Sequence, residues 1–315
     1  MAHAHAHAHS HSHGHAHDHA PAEFGRAFAL ATALNLALVA VQVGYGVAAH
    51  SVALLADAGH NFGDAVGLVL AWGAYALGRM KATERFTYGF RSASIMSALT
   101  NAILLLVATG AIAWEAIRRL GAPEPSAGMT MMLVAAAGIA INGLSAWLLV
   151  SGSKGDLNIR GAFLHLVADA AVSVGVVAAG AIILVTGWTW VDPAASLGIS
   201  AVIVWGTRNL LKESFQLSMA GVPSNIEITA VRRHLEAIPG VTKVHHLHVW
   251  AMSTTENALT AHLVFPKGHP GDAFLAEVGH HLGHRFGIQH PTLQIEIGDA
   301  EDCAPDCAPK QRVLH

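Results

Sequence analysis

The sequence predicts an α-helical membrane protein with six transmembrane helices, followed by a small C-terminal α/β domain. Three observations predict it. Hydrophobic residues make up 53% of the 315-residue chain and charged residues only 12%, a balance unlike that of a soluble domain. Apolar stretches of roughly 20 residues or more, enough for a hydrocarbon core about 30 Å thick, start near Ala27, Val52, Ser92, Met129, Gly161 and Val191. After Leu217, Glu, His, Pro and Gly become frequent and the apolar runs shrink to strand length.

Residues 1–22 read as a disordered tail. Nine histidines fall among its first 19 positions, mostly alternating with Ala or Ser, a composition that builds no core and suits metal binding. No apolar core follows a basic start, so a cleavable signal peptide is not expected. The transmembrane domain is expected over residues 23–216. Its first span, Ala27 to Ala49, is uncharged, with Asn35 and Gln42 its most polar members. Short connections at Ala48–Ser51, Ser151–Asn158 and Gly187–Trp190 join antiparallel neighbours, and Trp188 and Trp190 suit an interfacial belt.

The cytosolic domain is expected over residues 217–300. Ile226–Ile238 has helical spacing, with Ile228, Val231, Leu235 and Ile238 on one side. Pro239-Gly240 is a turn. Val244–Met252 and Leu259–Phe265 alternate as strands, Asp272–Phe286 is helical, and Thr292–Ile297 is a third strand. The order is αββαβ, a ferredoxin-like arrangement. Residues 301–315 form a last tail holding the only two cysteines, Cys303 and Cys307. Their C-x₃-C spacing is compatible with a metal clip or a disulfide.

Orientation follows from lysine and arginine placement. Arg79, Lys81, Arg85 and Arg91 lie between spans two and three, Lys154 and Arg160 between four and five, and Arg208 and Lys212 follow span six. The opposite side has Arg118 and Arg119, near Glu115 and Glu124. Both termini are therefore expected in the cytoplasm. A net charge of −3 without a basic run gives no sign of a nucleic-acid partner.

Two tetrads carry the chemistry. His60-Asn61-Phe62-Gly63-Asp64 and His165-Leu166-Val167-Ala168-Asp169 each set a histidine four residues before an aspartate, inside spans two and five. Positions i and i+4 share a helix face, so each span presents one imidazole and one carboxylate to the same side. Together they offer two nitrogens and two oxygens, a tetrahedral set for a zinc-like ion. A lone intramembrane histidine is more often a hydrogen-bonded core residue, but ionisable groups repeated at this depth read as functional. Calcium or magnesium would call for more oxygens and no imidazole. Two aspartates balance a divalent charge, and ligands shed protons to bind, so exchange of metal for protons is expected. Asp57, three residues before His60, is read as a supporting partner, a proton relay or a helix–helix hydrogen-bonding residue.

Ala56-Asp57-Ala58-Gly59-His60-Asn61-Phe62-Gly63-Asp64, with Arg85-Phe86-Thr87-Tyr88-Gly89-Phe90-Arg91 and His165-x₃-Asp169, resembles the cation diffusion facilitator family, specifically its zinc-transporting branch. The likeness covers all but the histidine tail. It implies a homodimeric, proton-driven zinc efflux carrier, with cadmium or cobalt as further candidates, working by alternating access in the bacterial inner (plasma) membrane. Zinc and protons are then the partners, with the lipid bilayer as surroundings. The chain is expected to be no enzyme and to need no cofactor. Many zinc members carry a histidine-rich loop between spans four and five. Here that loop has none, and the tail is read as taking over its role. The loop between spans two and three has Thr83, Glu84 and Tyr88 but no histidine, so no metal site is expected there.

The same resemblance implies a second, cytosolic zinc site. Val244-His245-His246-Leu247-His248-Val249-Trp250, Thr260-Ala261-His262-Leu263-Val264 and Gln294-Ile295-Glu296 resemble three family strands. By that likeness His245, His262 and Glu296 are ligands of a regulatory zinc ion, with His290, Cys303 and Cys307 as weaker candidates. Eleven histidines follow residue 216, and most, including His280, His281 and His284, read as solvated surface. The competing expectation is a membrane-anchored zinc sensor or buffer. An anchor, however, has no need of facing ionisable pairs in spans two and five.

Overall fold

The computed structural model describes residues 21–48, 52–121, 129–188 and 190–297. Six long helices come first: α1 (Pro21–Ala48), α2 (Val52–Gly78), α3 (Ala93–Gly121), α4 (Met129–Leu149), α5 (Leu157–Thr186) and α6 (Val191–Ser218). They are followed by α7 (Ile228–Glu236), β1 (Lys243–Ala251), β2 (Asn257–Val264), α8 (Asp272–Phe286) and β3 (His290–Glu296). The order αββαβ is present, each element within a few residues of its expected bounds. The tail at residues 1–20 and the Cys303/Cys307 pair lie outside the described residues.

Two helix starts differ from expectation. Helix α1 already includes Pro21 and Ala22, which the expected tail had claimed. Helix α5 opens at Leu157, not near Gly161. Asp156 is its N-cap and accepts from the Asn158 backbone N–H at 2.8 Å, which satisfies one of the orphan donors of the first turn.

The helical part turns its polarity inward. Asn35, Gln42, Asp64, Asn101, Asn142, Ser145 and Asn158 are buried, while Trp147, Val185, Val202 and Trp205 stand exposed. An outer surface of this kind suits lipid, and small side chains suit the contacts within. Ala31, Ala65, Ala71, Ala98 and Ala102 are all fully buried. One core cluster joins Phe28, Leu68, Ala71, Ala146, Leu149, Ile159, Ala162 and Leu166 across α1, α2, α4 and α5. Gly67 and Gly161 let α2 and α5 close on Asn101 of α3; an added Cβ would meet its side chain at 3.3 and 3.4 Å.

Among the described residues four helical segments are long and apolar enough to cross a membrane: Gly25–Gly44, Ala93–Gly121, Leu157–Thr186 and Pro193–Ser218. This is fewer than the six spans expected. In α4 the described side chains form the apolar stretch Ala135–Leu149, and α2 is diluted by Asn61 and Asp64. The protein is a multi-pass helical membrane protein with a small C-terminal α/β domain.

That domain has three strands in the order β1-β2-β3, with β1 antiparallel and β3 parallel to β2. The sheet is open, so the ferredoxin-like expectation is met only at the coarser level of a small α/β unit. Val231, Leu235, Val278 and Leu282 of the helices pack with Val244, Leu247, Val249, Leu259, Ala261 and Leu263 of the strands. Strand β1 carries a register shift between His245 and His248, and His246 has φ 48°. This extra residue lets Val244, Leu247 and Val249 all reach the core despite their odd spacing.

The loop between β1 and β2 meets the ends of the long helices. Thr254 Oγ1 donates to Asp156 Oδ1 at 2.7 Å and the Thr254 N–H donates to Ser94 Oγ at 3.1 Å. Ser92 Oγ donates to the Met252 carbonyl at 3.3 Å, and Arg91 forms an ion pair with Glu256.

Candidate metal centre

Asp64 on α2 and His165 and Asp169 on α5 converge. His165 Nε2 lies 2.9 Å from Asp64 Oδ1 and 3.7 Å from Asp169 Oδ2. The three side chains are only 8%, 7% and 11% exposed, taking His165, Asp64 and Asp169 in turn. Each offers one ligand atom, and these atoms all lie within 4.8 Å of one another. Two negative oxygens and a nitrogen packed this closely away from water suit a divalent cation. His60 sits on α2 one turn before Asp64; its side chain and that of Asp57 lie outside the described residues.

Beside the apolar contacts of α2 and α5, one amide from the expected loop ties the two helices together. Asn158 is fully buried, and its Nδ2 donates to the Ala71 carbonyl at 2.9 Å. Ala71 lies seven residues after Asp64 and Asn158 seven residues before His165. On antiparallel helices both donors therefore stand about 10 Å, two turns, from the same clamp. The i, i+7 spacing from Asn158 to His165 was the available signal. Gln42 Oε1 accepts from Asn61 Nδ2 at 2.9 Å, tying α1 to α2 beside the cluster.

A second cluster lies on the C-terminal sheet. His245 and His262 are cross-strand partners, and Glu296 lies two residues past the partner of His262 on β3. Leu259, Ala261 and Leu263 alternate with Thr260 and His262, so the cluster occupies the face opposite the helices. Glu296 uses both oxygens: Oε2 lies 2.8 Å from His245 Nε2, and Oε1 lies 2.7 Å from His262 Nδ1. Gln294 Nε2 donates to Glu296 Oε1 at 3.1 Å. These ligand atoms also fall within 4.8 Å of one another. Sequence reading passed over His246, whose ring centroid is 5.0 Å from that of His262 and 5.2 Å from that of His245; the His-His pair itself was the signal. His290 goes elsewhere: its Nε2 is 3.0 Å from an Arg91 nitrogen.

Comparison with known proteins agrees with this organisation. Residues 28–217 match the model of the cation efflux transmembrane domain, and residues 223–297 match that of the cation efflux protein cytoplasmic domain. The zinc transporter ZitB of Escherichia coli is 39% identical over 269 residues, covering 85% of each chain. A cadmium, cobalt and zinc/H(+)-K(+) antiporter of Bacillus subtilis is 35% identical over 271 residues, 84% of this chain and 87% of that one. The metal cation efflux system protein CzcD of Cupriavidus metallidurans is 36% identical over 257 residues, 81% of each.

Proposed function

The chain belongs to the cation efflux, or cation diffusion facilitator, family, and we propose on that footing that it exports zinc from the cytoplasm in exchange for protons. The observation that carries the proposal is the buried convergence of Asp64, His165 and Asp169 from two helices. His60, four residues before Asp64 on α2, completes a set of two nitrogens and two oxygens in this reading. Two carboxylates match the ion's charge, so the loaded site is near neutral in a medium of low dielectric. When the ion leaves, protons taken by the same imidazoles and carboxylates restore the balance, which couples metal release to proton uptake. Cadmium and cobalt share much of zinc's ligand preference and are the next candidates.

All six long helices cross the bilayer in this proposal, with α2 admitting polar residues because its site faces the bundle. Both termini are cytoplasmic. Arg118 and Arg119 at the far end of α3 both reach Glu115, at 3.3 and 3.0 Å, while the near side holds the more numerous cations. Alternating access follows from sliding of α2 against α5. The His245, His262 and Glu296 cluster binds a regulatory zinc ion, and the C-terminal domain joins two copies into a homodimer. The membrane domain runs from α1 to residue 216 and the C-terminal domain over 217–300, and the histidine tail ahead of α1 collects zinc.

Proteoliposomes loaded with a zinc-sensitive dye test the reading. Wild-type protein should move zinc under a pH gradient and move protons in return, while Asp64→Ala and His165→Ala should not. Wild-type transport indifferent to the gradient would refute coupling. The absence of any transport, with zinc binding retained, would favour an anchored sensor or buffer.

A further inference from the structure

Helix α8 carries a third concentration of imidazoles, separate from both clusters. Val278 and Leu282 face the core, so the helix leaves His280, His281 and His284 exposed. His280 and His284 are four apart and share a face, with ring centroids 4.3 Å apart and planes tilted by 43°. His281 belongs to a different stripe: its Nε2 is 3.9 Å from Glu277, and its ring stands edge-on to His280 at 6.2 Å. An ion held at about 2.0–2.1 Å by two imidazoles needs their nitrogens about 3.3 Å apart. Rings already 4.3 Å apart reach that by small side-chain rotations.

We propose that His280 and His284 form a surface site on α8 for a divalent transition-metal ion such as zinc, nickel or copper(II), with water completing the coordination shell. Helical histidines at i and i+4 are a recurring metal-binding arrangement because the backbone fixes both rings before the ion arrives. The pair also lies in the last two turns of α8, where the carbonyl end of a helix favours positive charge. Arg285 stacks over Phe286, 5.5 Å from the ring centroid. His234 of α7 lies 6.2 Å from the His281 ring. Burial, then Arg285 and His281, holds its pKa below the usual histidine value. The site is independent of the sheet cluster, which lies on the face of the sheet away from α8.

The test is histidine modification of the intact protein in detergent with diethyl pyrocarbonate, each histidine resolved by the fragment ions of its peptide in tandem mass spectrometry. Zinc at ten times its dissociation constant should slow modification of His280 and His284 together by about ten-fold. His284→Gln should abolish the protection of His280, and His280→Gln that of His284, whereas His281→Gln should leave both intact. Glutamine is a good helix former, and unchanged circular dichroism would verify folding. Modification of His280 unaffected by zinc, or protection of His280 surviving in His284→Gln, would overturn the proposal.

Discussion

The two three-residue clusters have nearly the same chemistry and opposite mechanics. In the membrane part the donors come from two helices that touch through side chains and one amide clamp, Asn158 to Ala71. On the C-terminal sheet they come from three strands locked by a backbone ladder, with His245 directly opposite His262. Strands in a ladder cannot shift without breaking register, whereas packed helices can shear by small steps. A carrier must loosen its grip on the ion in one state, and a regulatory site need only hold or release. Each framework suits its proposed task.

The largest expected contrast is between His165→Ala and His245→Ala. The first should lower transport by about 100-fold or more, since even outer partners of metal ligands are worth about 10–100-fold. The second should lower it by less than about ten-fold, read as dye flux in proteoliposomes. Equal losses would erase the division of labour. Next comes Glu296→Gln, which removes a carboxylate shared by both sheet histidines. Zinc at 100 times its dissociation constant should slow amide exchange in β1–β3 of wild-type protein by up to about 100-fold, or about 2.7 kcal/mol. The variant should lose most of that protection while still transporting.

Asn158→Ala should cost about 0.5–1.5 kcal/mol, the loss of a buried hydrogen bond added to the helical one that the Ala71 carbonyl already accepts. Its signature is transport reduced about ten-fold with the C-terminal exchange pattern unchanged. The smallest effect belongs to Asp156. Burial raises its pKa above the usual carboxylate value, opposed by the Thr254 hydroxyl and the Asn158 and Ile159 amides. A raised folded pKa gives stability that is present below the unfolded value and lost as pH rises through the folded one. Asp156→Asn keeps an oxygen for the cap but carries no charge, so its Tm should fall less than that of wild type between mildly acidic and neutral pH.

The donors of the membrane cluster were legible because helical periodicity is local: His165 and Asp169 declare a shared face by spacing alone. The relation between α2 and α5 was not legible, since it depends on where Asn158 finds a carbonyl 87 positions away. Asp156 in turn was hidden because a cap is recognised only once the start of its helix is known. Strand β1 illustrates the same limit. Alternation announced a strand, but the bulge at His246 decides which residues face inward, and it needs a left-handed backbone at a non-glycine residue. Helix α2 falls short as an apolar span because Asn61 and Asp64 lie within it.

The loop between β1 and β2 has a practical consequence. Thr254 donates to Asp156, the N-cap of α5, and Glu256 is the counter-ion of Arg91 just before α3. A protein cut after α6 therefore loses the C-terminal domain with its proposed metal site and, in the same stroke, two fastenings on the ends of its own membrane helices. Truncation reports the sum of both losses, whereas Thr254→Val and Glu256→Gln in the intact chain separate the fastening from the sensing.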